Sequence, residues 1–315
     1  MEKKTKKKNM VSTKPLSVRL YTYRWFYLMF IPVLAFMLVF HILPLTGLRY
    51  MFYHYTNAFN IKWIGLENFR TLFSKPAFWS AFVNTLELSI IKLLLNTFMA
   101  VIISLLLNEM INLVFKKVTQ TIIYLPHFMS WVVTASVFTL ILSTYSSGLV
   151  NTLLKDMGII EIGEEIEFLA SSEWWRFTYY LINIWKDTGW GTIIFLATLS
   201  GISPELYEAA QIDGANRWAR MRYITLPSLA NTIITVLILN LAKIMNLFES
   251  VFVLKNDIVT EVAQVLQTYT YDIGFAVVPD FGLSTAVGFF RSCVGCVLVL
   301  ICNYISKKIR GRGIV

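Results

Sequence analysis

The chain has 315 residues, of which 56% are hydrophobic and only 15% charged, and its mean hydropathy is +0.61. An ordinary soluble domain carries about a quarter charged residues, so the composition excludes a soluble enzyme and points to an integral membrane protein. The formal net charge of +9 comes largely from basic terminal runs, which read as topology signals and call for no polyanionic ligand.

A bilayer core about 30 Å thick takes roughly 20 mainly apolar helical residues to cross. Within it, every backbone polar group has to be satisfied inside the span. Six stretches qualify, near 25–48, 82–108, 118–142, 179–200, 229–251 and 281–305. The expected fold is therefore all-α and polytopic. A basic tail (1–24) precedes a six-helix transmembrane domain (25–305), which includes a polar loop at 201–228, and a short tail (306–315) follows. The lysine-rich tail is expected to be disordered up to the bilayer. It argues against a cleaved signal peptide, as do the long apolar run after it and the missing small-residue cleavage site. With both termini inside, the inner segments hold 17 Lys and Arg and the outer loops 7, as the positive-inside rule requires. The outer loop 143–178, with Asp156, Glu161, Glu164, Glu165, Glu167 and Glu173, is expected to form a small extracytoplasmic cap.

Cys293, Cys296 and Cys302 all fall in the last span, without the histidines or further cysteines of a zinc site. They read as packing residues, and no metal site is expected. His41, His54 and His127 are scattered and suggest no cluster. No G-x-x-x-x-G-K-[ST] occurs, so no phosphate-cradling loop is available and no cofactor is expected on this chain. No nucleophile elbow or soluble carboxylate pair supports an enzyme.

The stretch EAAQIDGANRWARMRYITLPSL, from Glu208, interrupts the apolar pattern on the inner side. Ser203 can cap a helix that begins at Pro204 with Glu205 in its first turn. Gly214 can take the left-handed conformation that ends it. Asn216 can cap a second helix through Arg217, Arg220 and Arg222, and Pro227 is expected to mark the turn into the fifth span. An amphipathic pair lying on the inner leaflet would look much the same.

The residues Glu208-Ala209-Ala210, then Gly214, then Ile224-x-Leu226-Pro227, at these spacings and before the fifth of six spans, resemble the EAA signature of binding-protein-dependent ABC importer permeases. WIGLENF at 63–69 and NTL at 84–86 resemble the maltose-type sugar permeases. YLPHFMSWVV at 124–133, TYTYDIGF at 268–275 and STAVGFFRS at 284–292 resemble the lipoprotein/polysaccharide permease subfamily. The resemblance implies the type I importer permease fold, in which the loop is a cytoplasmic coupling helix docked on a separate ATPase that carries the ATP and Mg. Glu208, Ala209, Ala210, Asp213, Gly214, Arg217, Ile224, Leu226 and Pro227 would be its coupling residues. It further implies a second related permease, a dimeric ATPase, and a solute-binding protein, lipid-anchored in subfamily members. The setting would be a bacterial plasma membrane and the cargo an oligosaccharide or polysaccharide fragment.

Polar residues inside spans are costly and face a cavity or a partner. Thr85, Ser89, Lys92 and Asn96 share one face of the second span, and Asn183, Lys186, Asp187 and Trp190 one face of the fourth. The fifth adds Asn240, Lys243 and Asn246, and the sixth Arg291. Lys92, Asn96, Asn183, Lys186, Trp190, Asn240, Lys243 and Arg291 are the candidate path residues, although interhelical hydrogen bonds would use the same side chains. Trp131, Trp185 and Trp190 could stack on sugar rings. A self-sufficient secondary transporter or channel of six spans should show an inverted repeat, and none is apparent. A scaffold protein would leave the polar stripes without a purpose.

Overall fold

The computed structural model describes residues 16–57, 59–145 and 148–310, and the chain divides after Arg49 into two compact units. The first unit holds α1 (Leu16–Thr22) and most of α2, which starts at Arg24, passes through a π turn at Leu38–Ile42 and continues as a 3-10 stretch to Phe52. Pro44 removes a helical donor there, at the point where the winding tightens. Residues 16–22, expected to be disordered, are helical; residues 1–15 of that tail lie outside the described residues.

The second unit opens with a feature that the all-α expectation lacked, a hairpin of β1 (Tyr53–Asn57) and β2 (Asn60–Trp63) with Tyr53 opposite Trp63. Aromatic and β-branched residues around an Asn-rich turn favour it. The side chain of Asn68, on α3 (Glu67–Ser74), donates to the carbonyls of Met51 and Tyr53 at 2.9 Å each.

The centre of the unit is a pair of long helices, α4 (Pro76–Asn108) and α8 (Ser172–Ser200), packed side by side. Each starts several residues before the expected span edge. Pro76 fits the first helical position of α4, and the Ser171 hydroxyl accepts from the Glu173 N–H at the start of α8. Near these starts Arg176 pairs with Glu87, donates to Asn84 Oδ1 at 2.8 Å and to the Val262 carbonyl at 3.4 Å, while Asn84 donates to the Glu261 and Gln264 carbonyls. Farther along, α8 meets the end of α5 so closely that a Cβ on Gly189 would lie 2.1 Å from the Ile123 carbonyl oxygen.

Two expected spans are broken. The third consists of α5 (Leu113–Tyr124, extended by a 3-10 turn to Phe128) and α6 (Trp131–Ile141), bent by 104°. Pro126 and Ser130 explain the break. Proline cannot continue the hydrogen-bond ladder, and the Ser130 hydroxyl accepts from the Val133 N–H to start α6. The fifth begins early, with α10 (Arg217–Arg220), a π turn at Met221–Thr225 and α11 (Leu226–Leu241) running as one rod. Pro227 therefore does not mark a turn. The Leu226 N–H reaches back five residues to the Met221 carbonyl, and this widened turn takes up the proline ring. The rod ends at Leu241, inside the expected span 229–251, and helix resumes only at α12 (Glu249–Leu254).

In the outer loop, α7 (Leu149–Asp156) is held by Asn151, which donates to the Ser143 and Ile166 carbonyls and accepts from the Ile166 N–H. The loop's last residues already belong to α8. After α12 come α13 (Thr260–Ala263), α14 (Leu266–Gly274) and α15 (Phe281–Arg310), which runs through the start of the expected tail 306–315; residues 311–315 lie outside the described residues. A buried cluster that includes Leu88, Trp175, Tyr179, Val251 and Val265 joins α4, α8 and α12. Within it, Trp175 Nε1 donates to the Leu254 carbonyl at 3.0 Å.

Among the described residues, the segments 24–52, 76–108, 217–241 and 281–308 are long and apolar enough to cross a bilayer, and the bent pair would be a fifth. The expected span 179–200 lies in α8, which is long enough but carries Arg176, Lys186 and Asp187. Replacing Gly189 with valine should cost about 1–3 kcal/mol, because a backbone carbonyl cannot rotate out of the way. Thermal unfolding of the detergent-purified chain would show it as a lowered midpoint, and an unchanged midpoint would refute the contact.

Candidate functional site

The break after α11 and the end of α5 both face the polar stripe of α4, and together with α8 they line an open cleft of about 350 Å³. Ser89, Lys92, Asn96 and Thr97 come from α4, Asp187 and Trp190 from α8, His127 from the α5 end, and Asn240, Lys243 and Asn246 from the fifth span. Ser89 donates to the Ile244 carbonyl at 2.7 Å, which satisfies one of the oxygens that the interrupted helix releases.

Asp187 organises the charged side of the cleft. Lys92 Nζ stands 3.8 Å from one carboxylate oxygen and His127 Nδ1 3.3 Å from the other. The His127 ring stacks on Trp190, with centroids 4.8 Å apart and planes 12° from parallel. Trp190 remains 49% exposed. The cleft thus offers amides, a hydroxyl, an ion pair and an open indole face. That set suits a polyhydroxylated solute, whose hydroxyls need directional partners and whose ring faces are apolar.

Of the expected path residues, Lys92, Asn96, Trp190, Asn240 and Lys243 line the cleft. Asn183, Lys186 and Arg291 do not. Asn183 is buried and donates to the Tyr179 carbonyl at 2.7 Å. Lys186 is buried as well, and its ammonium donates to the carbonyls of Pro126, His127 and Met129 at the bend of the third span, 5.3 Å from the Trp131 ring. It caps a broken helix. Arg291 sits half-buried on α15, away from the cleft. His127, one of three histidines scattered in the sequence, proves to line the cleft. The signal that could have found it is Pro126 beside it with Ser130 three residues on, a helix stop and a cap in the middle of a span.

On the polar loop, α9 (Pro204–Ile212) starts with Pro204 at its first position, although the Ser203 side chain makes no capping bond. Gly214 has φ +80°; its N–H donates to the Gln211 carbonyl, and the Ala215 N–H to the Ala210 carbonyl, the paired bonds of a Schellman stop. Asn216 Oδ1 accepts from the Ala219 N–H at 2.8 Å, and the hydroxyls of Tyr207 and Thr225 lie 3.0 Å apart, tying α9 back to the rod. Glu208, Ala209, Asp213, Gly214, Arg217, Leu226 and Pro227 are exposed, while Ala210 and Ile224 are half-buried. Beside them stand Ile212, 87% exposed, and Trp218, 75% exposed. Sequence reasoning had not singled out these two, although large apolar side chains on a charged loop are a signal of docking.

Residues 16–311 match the family described as "Binding-protein-dependent transport system inner membrane component". Protein LplB of Bacillus subtilis (strain 168) is 40% identical over 295 residues, 92% of this chain and 91% of that one. The polygalacturonan/rhamnogalacturonan transport system permease protein YteP of the same organism is 39% identical over 305 residues, 96% and 93%. Among solved structures, a chain of a bacterial ABC transporter involved in the import of the acidic polysaccharide alginate superposes with a TM-score of 0.85 at 35% identity, over 94% of this chain and all of that one.

Removal of Lys186 tests the cap at the bend. Lys186→Met fills the same space but leaves carbonyl oxygens without a donor, a loss of about 1–3 kcal/mol. A lower unfolding midpoint should therefore accompany it, whereas Asn240→Ala, at the exposed cleft wall, should change stability by no more than about 0.5 kcal/mol and leave the midpoint nearly where it was.

Proposed function

The chain belongs to the family of binding-protein-dependent transport system inner membrane components, and from that premise we propose that it carries a saccharide across a bacterial plasma membrane and is driven by a separate ATPase docked on α9. The relatives' printed cargoes, the galacturonans and alginate, support the carbohydrate. The amide-and-indole lining of the cleft supports it independently. An oligosaccharide or polysaccharide fragment would arrive on a solute-binding protein, lipid-anchored in this subfamily. A solved structure of the alginate transporter is a complex with an alginate pentasaccharide-bound periplasmic protein.

In this reading the chain forms half of a translocation path with a second, related permease, and two ATPase subunits bind ATP and Mg beneath them. The chain itself binds no cofactor. Both termini and the 201–228 loop face the cytoplasm, and the six-span domain 25–305 lies between the tails. ATPase closure draws the two coupling loops together, and the spans rock between inward-facing and outward-facing states. The observation that carries the coupling role is the exposed α9, stopped by Gly214 and bonded through Tyr207 to the rod that reaches the cleft. A transmitting element has to be stiff, and these bonds make it so. Glu208, Asp213 and Arg217 are the charged contacts; Ala209 and Ala210 allow close approach.

Gentle solubilisation and affinity capture of the wild-type chain should bring down an ABC ATPase and a second permease. Glu208→Lys should lose the ATPase and keep the permease; retention of both would refute the docking role. Gly214→Val should leave assembly intact but abolish ATP-driven uptake, because a β-branched residue resists φ +80°. Normal uptake by that variant would dissociate the glycine stop from coupling.

A further inference from the structure

The hairpin of β1 and β2 sorts its side chains by face. Cross-strand partners share one side of a sheet, so Tyr53 with Trp63 and Tyr55 with Ile61 form one face, and His54 with Lys62 lies on the other. Alternation puts Asn60, which donates to Thr56 Oγ1 at 3.3 Å, with Lys62. The first face is apolar and only partly covered. The Tyr55 ring meets Phe281, and the Tyr53 and Phe52 rings meet Trp63 with centroids 5.1 and 5.7 Å away. Trp63 nevertheless stays 61% exposed and Ile61 43%, and Phe59 beside the turn is fully exposed.

The place of the hairpin in the chain says what meets that face. β1 starts at the residue after the apolar segment 24–52, and only α3 and its flanks separate β2 from the apolar segment 76–108. A strand that begins where a span ends stands at the level of the bilayer surface in any assembly. The sheet itself excludes deeper immersion. Two strands alone leave outer backbone edges without a strand partner, and such groups need water. The apolar face needs lipid, and the boundary zone of a bilayer supplies both. Tryptophan and tyrosine collect there because each joins an apolar ring to a polar group, and Trp79, in the first turn of α4, is exposed as well.

We propose that this hairpin is an interfacial lipid anchor. Phe59, Ile61 and Trp63 sit among the headgroups and upper acyl chains, while Lys62, on the aqueous face, reaches back to lipid phosphate along its flexible stem. The assignment requires only a chain that crosses a bilayer and is independent of the cargo and of what drives transport. It also has a mechanical use. The side chain of Asn68 binds the Tyr53 carbonyl and so ties the hairpin to α3, and a Cβ on Gly282, in the first turn of α15, would lie 2.1 Å from the same oxygen. Whatever holds the hairpin at the lipid surface therefore also sets the depth of α15.

The test uses the assembled importer, freed of its native cysteines, in vesicles of phosphatidylethanolamine and phosphatidylglycerol. Nitroxide labels are attached one at a time through Asn60→Cys, Ile61→Cys, Lys62→Cys and Trp63→Cys. Their collisions with oxygen, which concentrates in lipid, are compared with their collisions with a water-soluble nickel chelate. Labels at 61 and 63 should favour oxygen and labels at 60 and 62 the chelate, so that the preference alternates along β2. Preference for the chelate at every position would overturn the anchor. Shielding of 61 and 63 from both reagents would place a protein on this face and overturn it equally. Brominated lipids give a second reading that needs no cysteine. They should quench the share of tryptophan emission that Trp63→Phe removes, and failure to quench that share would refute the lipid contact.

Discussion

A helix broken inside a membrane releases carbonyl oxygens that lipid cannot satisfy, and the architecture of this chain follows from how two such breaks are resolved. At the bend of the third span the ammonium of Lys186 takes up the loose carbonyls of Pro126, His127 and Met129. At the end of α11 the hydroxyl of Ser89 takes the Ile244 carbonyl. Because both solutions come from the long helices α4 and α8, the breaks are fixed beside those helices. The volume that a continuous helix would have filled becomes a polar cleft. Burying an ammonium is expensive, and it is tolerable here only because its donors meet oxygens that would otherwise go unpaired.

This also explains which parts were legible in the sequence. Apolar runs are legible because bilayer thickness sets their length, and the spans near 82–108 and 281–305 fall within helices α4 and α15. The EAA loop was legible as well, since caps and a glycine stop are written locally, and Gly214 does adopt a positive φ. The stripes on α4 and α8 were found, but a stripe spans a wide arc. Asn183 and Lys186 occupy the same helical face as Asp187 and Trp190, yet they point at the α8 backbone and at the bend, which spacing alone cannot separate. His127 was invisible for the complementary reason. Its importance comes from a chain break 60 residues away from its partner Asp187, a tertiary fact. Pro227 misled because proline was weighed as a stop, whereas a π turn one step earlier accommodates it.

Broken helices at a binding site are also what a self-sufficient secondary transporter would show. In this chain they coexist with an exposed, hydrogen-bonded polar loop that carries the EAA residues and with membership of the importer family, so the breaks describe how the cleft is made and do not decide what drives it.

The π turn before Pro227 has a mechanical consequence. Had the proline ended the helix, the polar loop and the cleft would be joined by a flexible corner, and movement at one would dissipate before reaching the other. Instead, residues 217–241 form a single strut about 37 Å long at about 1.5 Å per residue. The Tyr207–Thr225 bond clamps it to α9 near one end, and Asn240 lies at the other, with Lys243 just beyond on the non-helical stretch. A strut clamped at one end behaves as a lever: a small tilt at the α9 end becomes a sideways displacement of several ångströms at the tip. The cleft would then change its width by carrying its fifth-span wall on that tip.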